Sequence, residues 1–281
     1  MTLGTWLRSA SERLEANGVE AFRLEAQVLA GFALHQERSW VLAHPEFELS
    51  APNVIESLLA RRLRHEPLAY ITGVREFYGR PFQVRPGVLI PRQETETLVE
   101  VALAAIDRLQ TKTVLDVGIG SGAIALTLKA ERQDIAVTAV EISAAALEVA
   151  QKNAVALKVD VEILESDLFA ALGTRRFDLI VSNPPYIGRE ENLVPEVRDH
   201  EPEQALFAGK EGLDIYERLA LEAETYLTPD GEVWMEIGFE QEKAVSLLWK
   251  AHGWRGIGSA KDLLGHVRVL GFQPRAGSSL P

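Results

Sequence analysis

The sequence predicts an α/β protein: a doubly wound, mostly parallel sheet preceded by a small helical domain. Three observations carry that expectation. From Thr113 onward, short apolar runs alternate with helical patterns. Before about residue 74 the patterning is helical throughout. Within the alternating stretch, Gly118-Ile119-Gly120-Ser121-Gly122 follows an apolar run and opens a helix. Alternation of this kind implies parallel strands covered on both faces.

Each element has a local reason. Leu3, Trp6, Leu7, Ala10 and Leu14 recur at helical spacing over residues 2–17, and Gly18 supplies a stop. A second apolar-faced helix is predicted over residues 21–32 and a short third over 39–43. Pro52 suits a first helical turn, and Val54, Ile55, Leu58, Leu59 and Leu63 follow as an apolar stripe. Residues 1–73 therefore read as a helical domain. Residues 76–84 alternate around Gly79-Arg80-Pro81, and Pro86-Gly87 adds a turn, so 74–90 reads as a β-hairpin linker. Residues 91–281 form the sheet domain, opening on a helix over 94–109. Strands are predicted at 113–117, 136–140, 161–164, 177–181 and 232–237, with 267–270 closing the sheet. Helices at 123–130, 143–156, 213–226 and 240–252 lie between them.

Composition bounds the function. A chain of 281 residues suits one catalytic domain and a smaller companion. No stretch approaches the length of a membrane span, and the first residues lack a secretory pattern, so a cytoplasmic location is expected. The absence of cysteine excludes disulfides, thiolate metal sites and cysteine nucleophiles. The histidines show no metal spacing, so no metal is expected. A net charge of −12 weighs against nucleic acid as a direct substrate. The basic run Arg61, Arg62 and Arg64 reads as a solvated helix face.

Ligands of doubly wound sheets bind beyond the carboxyl ends of the strands, where the informative residues fall. Gly118, Gly120 and Gly122, with Ile119 and Ser121, can bring backbone N–H groups close to a ligand at a helix start. Their G-x-G-x-G spacing differs from the dinucleotide fingerprint. Glu141 ends the next strand and can accept from both hydroxyls of a ribose, such as that of NAD or S-adenosylmethionine. It can equally cap the helix that follows. After the third strand, Asp167 can accept from an adenine amino group, with Leu168 or Phe169 against the ring, or serve as a cap.

The chemical motif is Asn183-Pro184-Pro185-Tyr186, delivered by the apolar run at 177–181. Two prolines stiffen the loop and hold the residues before them extended. The loop presents two fixed acceptors, the Asn183 side-chain oxygen and a backbone carbonyl assigned to Pro184. An NH2 group on a carbonyl or aromatic ring has two donors and a delocalised, poorly nucleophilic lone pair. Two in-plane acceptors orient it, favour pyramidalisation and stabilise the positive charge that grows as a methyl group arrives. Tyr186 can pack against the planar target and exclude water. No strong base is needed.

These residues resemble the protein glutamine methyltransferases that modify class-I peptide-chain release factors. The resemblance covers nearly the whole chain. It includes the helical N-terminal domain, the hairpin, Leu89-Ile90-Pro91-Arg92-Gln93-Glu94-Thr95-Glu96, the glycine turn and Ile180 through Ile187. It continues through Glu201-Pro202 with Ala205-Leu206, Gly212-Leu213-Asp214-Ile215-Tyr216 and Met235-Glu236-Ile237-Gly238. Three positions depart from the family's usual pattern: Ile119 for threonine or serine, Gln93 for proline, and Glu141 for aspartate.

The resemblance implies a Rossmann-like class I S-adenosylmethionine methyltransferase whose product is S-adenosylhomocysteine. It implies that the cofactor lies over Gly118, Gly120 and Gly122, with Glu141 on its ribose and Asp167 and Leu168 at the adenine. The implied substrate is the glutamine of the Gly-Gly-Gln loop of a release factor, gripped by Asn183 through Tyr186. Pro91, Arg92 and Glu201 are expected to line the substrate side. An adenine amino methyltransferase acting on DNA or RNA is the alternative, because it shares the Asn-Pro-Pro-Tyr loop.

Overall fold

The first helix starts at Thr2 because its hydroxyl accepts from the Thr5 N–H, a donor that the first turn leaves free. Helix α1 (Leu3–Ala16) buries Leu3, Trp6, Ala10 and Leu14 on one face. That face packs with α2 (Phe22–Leu34), α3 (Arg38–Ala43), α4 (Pro52–Arg62) and α5 (Leu68–Thr72) around Trp6, Leu29, Ile55 and Leu59. The Trp6 indole donates to Glu56 at 2.7 Å, so its polar edge is satisfied. In the computed structural model, which describes residues 1–275, these helices form one unit, Met1–Val74 together with Leu193–His200. The second unit is Arg75–Asn192 and the chain from Glu201 onward.

The basic run at the end of α4 is not uniformly solvated. Arg62 is buried, and its guanidinium meets Glu25 at 2.5 Å and Glu196 at 2.8 Å. A buried charge is tolerated only when paired, and these two carboxylates provide the pairing. Arg61 pairs with Glu66. The run reads as surface in one dimension because Glu196 comes from a distant stretch of chain.

From the start of the second unit, β1 (Val74–Phe77, all but its first residue in that unit) and β2 (Arg80–Gln83) form a two-stranded sheet. Phe77 and Phe82 meet edge to face at 5.9 Å, both fully buried. Asn153 accepts from the Gln83 N–H at 2.8 Å and donates to the Gln83 and Ser121 carbonyls. The end of the hairpin is thus bolted to the unit's core.

Helix α6 (Glu96–Leu109) leads into β3 (Thr113–Val117), α7 (Ala123–Glu131), β4 (Ala136–Glu141), α8 (Ala144–Leu157), β5 (Glu162–Glu165) and β6 (Phe177–Ser182). Then come α9 (Asp214–Glu222), β7 (Leu227–Glu236), α10 (Glu242–Ala251), β8 (Trp254–Lys261) and β9 (Val267–Pro274). The strand order is β5-β4-β3-β6-β7-β9-β8. Strands β5 through β7 run parallel, and β9 and β8 are antiparallel. Strand β9 does not close the sheet: it lies between β7 and the edge strand β8.

Alternate residues of the central strands enter two cores. Val114, Val137, Leu179 and Val181 pack with α6 and α7 on one face. Leu115, Val140, Ile180 and Met235 pack with α9 and α10 on the other. No helix among the described residues is long and apolar enough to cross a membrane.

Candidate active site

The chain leaves β3 toward β4 on one side, and later reaches β6 on the other. This reversal of direction opens a crevice at the carboxyl ends of β3 and β6. Register sets what meets there. Val117 pairs with Ser182, Val117 also with Val140, Glu141 with Glu165, and Ser182 with Met235. The glycine turn, Glu141, the segment after Glu165 and Asn183 therefore leave the sheet at neighbouring strand ends.

They surround a cavity of about 250 Å³. Gly118, Gly120, Glu141, Asp167, Leu168, Asn183, Pro184 and Pro185 all line it. Gly118 and Gly120 hold φ of 84° and 57°, and a Cβ on either would meet nothing within 4 Å. Their backbone thus faces open space, as close approach of a ligand requires. The other members of the turn are structural. Ile119 is buried in the core, and its N–H goes to the Val140 carbonyl at 3.0 Å. Ser121 is buried, with its carbonyl held by Asn153. A Cβ on Gly122 would lie 2.6 Å from Leu126, so this glycine serves packing. Ile119, Ser121 and Gly122 do not line the cavity, because a helix start alternates its residues between ligand and core.

Glu141 is already engaged. One oxygen accepts from Gly120 N–H at 3.0 Å, and the other from Ile142 and Ser143 N–H at 2.9 Å each. A carboxylate has about four acceptor sites, so roughly one is left. Binding two ribose hydroxyls requires one backbone donor to let go. Glu141 thus braces the turn ahead of the helix, whose N-cap is Ser143.

Asp167 pairs with Arg218 at 3.0 Å, and both line the cavity. Leu168 adopts φ of 46°, a strained conformation for its side chain. Ser166 braces it, donating to the Leu168 carbonyl at 2.9 Å and accepting from Ala171 N–H at 3.0 Å. Phe169 is instead fully buried and stacked on Tyr226 at 4.9 Å. Leu168, not Phe169, is the apolar wall.

The Asn-Pro-Pro-Tyr loop is clamped from behind. Gln241 donates to the Tyr186 carbonyl at 2.9 Å and accepts from Gly238 N–H at 3.0 Å. Asn183 Nδ2 donates to the Thr95 hydroxyl at 3.1 Å, and its Oδ1 takes no protein donor among the described residues. Tyr186 is not among the cavity-lining residues and packs against the core beside α9 and α10. Burial pushes its hydroxyl pKa well up, with Glu236 adding to the rise.

Glu201 and Pro91 are buried, and neither they nor Arg92 line the cavity. Glu201 pairs with the Arg92 guanidinium and accepts from Ile90 N–H at 3.3 Å. It braces the Pro91-Arg92 segment rather than forming a rim, since a buried carboxylate must satisfy its oxygens locally.

Two buried carboxyls titrate far from their ordinary range. Burial pushes Asp116 up to about 8, opposed by a hydrogen bond from Ala125 N–H. Burial pushes Glu236 up to about 7. Both values lie above those of the unfolded chain, so their stabilising contribution is complete at low pH and is lost as pH rises toward 8. Each costs up to about 1.4 kcal/mol per pH unit across its window. Thermal melts between pH 5 and 8 should show Tm falling with pH, and Asp116→Asn should flatten that fall. Parallel slopes for the two proteins contradict it.

Comparison with known proteins decides the family. Residues 5–73 match the family model described as the PrmC N-terminal domain, and residues 90–197 match the methyltransferase small domain. A release factor glutamine methyltransferase of Koribacter versatilis is 44% identical, over 96% of this chain and 98% of that one. The chain belongs to the release factor glutamine methyltransferase family. A second member of that name, from Bordetella pertussis, is 43% identical over 89% of this chain and 94% of its own. A methyltransferase structure from Pyrococcus furiosus aligns with a TM-score of 0.52 at 17% identity, over 77% of this chain and 98% of that one. That likeness concerns the fold.

Membership makes the chain an S-adenosylmethionine-dependent methyltransferase. The residues present fit that cofactor: open glycine backbone, a carboxylate at the second strand end and an apolar wall at the third. Other residues line the cavity as well. Leu89, Ala205 and Ile215 lie within the motifs that carry the resemblance, without a role assigned to them. Val88, Ile142, Gln204 and Arg218 carry no mark in the sequence, because they come from four separate segments.

Proposed function

We propose that this enzyme methylates the side-chain amide nitrogen of the glutamine in the Gly-Gly-Gln loop of class-I peptide-chain release factors. S-adenosylmethionine supplies the electrophilic methyl group and leaves as S-adenosylhomocysteine. Gly118, Gly120 and Glu141 hold it, with Asp167 and Leu168 toward the adenine. Asn183 Oδ1 and the Pro184 carbonyl accept the two hydrogens of the substrate amide. That pair fixes the nitrogen in the cavity and stabilises the positive charge that develops on it. The methylated nitrogen then sheds its proton readily, so no side-chain base is assigned. Pro185 keeps the loop stiff, and Tyr186 anchors it. The helical unit is assigned to recognition of the protein substrate, and the reaction to the cytoplasm.

One observation carries the reading. Asn183, Pro184 and Pro185 line the same cavity as the open glycines, and Asn183 keeps its carbonyl oxygen unengaged while its NH2 is held. The test is transfer of labelled methyl to a release factor, with the added mass located by mass spectrometry. Label should sit on the loop glutamine and vanish in the Gln→Ala factor. Equal labelling of that variant, or label on nucleic acid instead, overturns the substrate assignment.

A further inference from the structure

Asn183 is effective only one way round. Its Oδ1 must face the substrate amide, and its NH2 must point away, yet the two ends of a carboxamide differ little in shape. Something in the protein must choose the orientation.

The nearest partner of its NH2 is Thr95, 3.1 Å away and buried. A hydroxyl can donate or accept, so Thr95 alone does not choose. Behind Thr95 lies Glu236, buried at the end of β7, and the Thr95 side chain hydrogen-bonds its carboxyl group. Because Ser182 pairs with Met235, Asn183 and Glu236 leave adjacent strand ends side by side. One oxygen of Glu236 is buried without a hydrogen-bond partner among the described residues.

We infer that Thr95 and Glu236 are positioning residues that fix the polarity of Asn183. An ionised Glu236 only accepts. Thr95 must then give it the hydroxyl hydrogen, and its oxygen is left to accept from Asn183 Nδ2. Oδ1 is thereby turned toward the substrate nitrogen. A protonated Glu236 can donate to Thr95, which frees the hydroxyl to donate to Asn183 and permits the reversed amide. The inference rests on the proposed role of Asn183.

The setting of Glu236 matters to its titration. Burial raises its pKa to about 7, Thr95 and the Arg268 and Arg92 guanidiniums pull it down, and Glu94 pushes it up. The Tyr186 and Tyr216 hydroxyls face it as well. Its charge therefore changes near neutral pH, and the relay tightens as pH rises.

The test combines kinetics with a spectroscopic readout on 15N-labelled protein. The Asn183 side-chain amide resonance is assigned by its disappearance in Asn183→Ala. In the wild-type protein that resonance should shift with a midpoint near the titration of Glu236, and kcat should rise through the same range. Glu236→Gln, whose amide both donates and accepts, should abolish the shift. It should also flatten the kcat profile at the low-pH level, with KM for the release factor little changed. Thr95→Val should lower kcat about tenfold, the scale of one lost hydrogen bond, while Thr95→Ser should retain activity. A dispersed spectrum for each variant separates these effects from misfolding. If Asn183→Ala is inactive but Thr95→Val and Glu236→Gln keep wild-type profiles and resonance behaviour, the relay is wrong. If Asn183→Ala itself turns over normally, the reading of the active site fails instead.

Discussion

Asn183→Ala should reduce kcat about a thousandfold, roughly 4 kcal/mol of transition-state stabilisation. The reason is differential. In the ground state the substrate amide is neutral, and one acceptor more or less changes its binding modestly. As the methyl bond forms, the nitrogen gains positive charge, and the hydrogen bond to Oδ1 strengthens. Removing it therefore acts on kcat more than on KM. Affinity for S-adenosylmethionine should change less than about tenfold, because Gly118, Gly120 and Glu141 are untouched. Calorimetry with the cofactor and single-turnover kinetics separate the two. A loss of cofactor affinity as large as the loss of turnover would mean that the loop mainly shapes the cofactor site.

Gly212→Ala should have the next largest effect although residue 212 contributes nothing to the cavity wall. Gly212 holds φ of 72°, a conformation that favours glycine. A Cβ there would lie 2.1 Å from the Tyr186 carbonyl oxygen and 2.8 Å from its carbon. Both are backbone atoms, so the Asn-Pro-Pro-Tyr loop itself must move. It must also break the 2.9 Å bond from Gln241 that anchors that carbonyl. Displacement of about 1 Å at the acceptors costs about a hundredfold in kcat. Backbone strain and overpacking together cost about 3 kcal/mol of stability. Denaturant melts and kcat at saturating cofactor check both. Wild-type turnover in a stable Gly212→Ala protein contradicts the clamp.

Legibility followed the range of the physics involved. Strands β3, β4 and β6 show in the sequence because strands covered on both faces are mostly apolar, and Gly118 and Pro184 punctuate the ends of β3 and β6. Strand β8 did not, because it is a largely exposed edge containing Gly256 and Gly258. Helix α5 is too short to display a period. Strand β9 shows as a strand but not as an interior one, since nothing in its own residues says that the preceding strand β8 lies outside it.

The site divided the same way. Gly118, Gly120, Glu141 and Asn183 announce themselves through neighbours in sequence. Glu201 reads as a rim acid until its partners Arg92 and Ile90 are known. Arg62 reads as surface until Glu25 and Glu196 are seen around it. Glu236 sits in a visible motif, yet its position beside Asn183 depends on the register between β6 and β7. Local chemistry is written locally, whereas pairing across the sheet is written only in the fold.

The most direct measurement is a crystal structure with S-adenosylhomocysteine and a peptide carrying the Gly-Gly-Gln loop. The glutamine NH2 should lie within about 3 Å of both Asn183 Oδ1 and the Pro184 carbonyl oxygen, facing the product sulfur. A glutamine amide bound elsewhere, with Asn183 turned from the sulfur, contradicts the account.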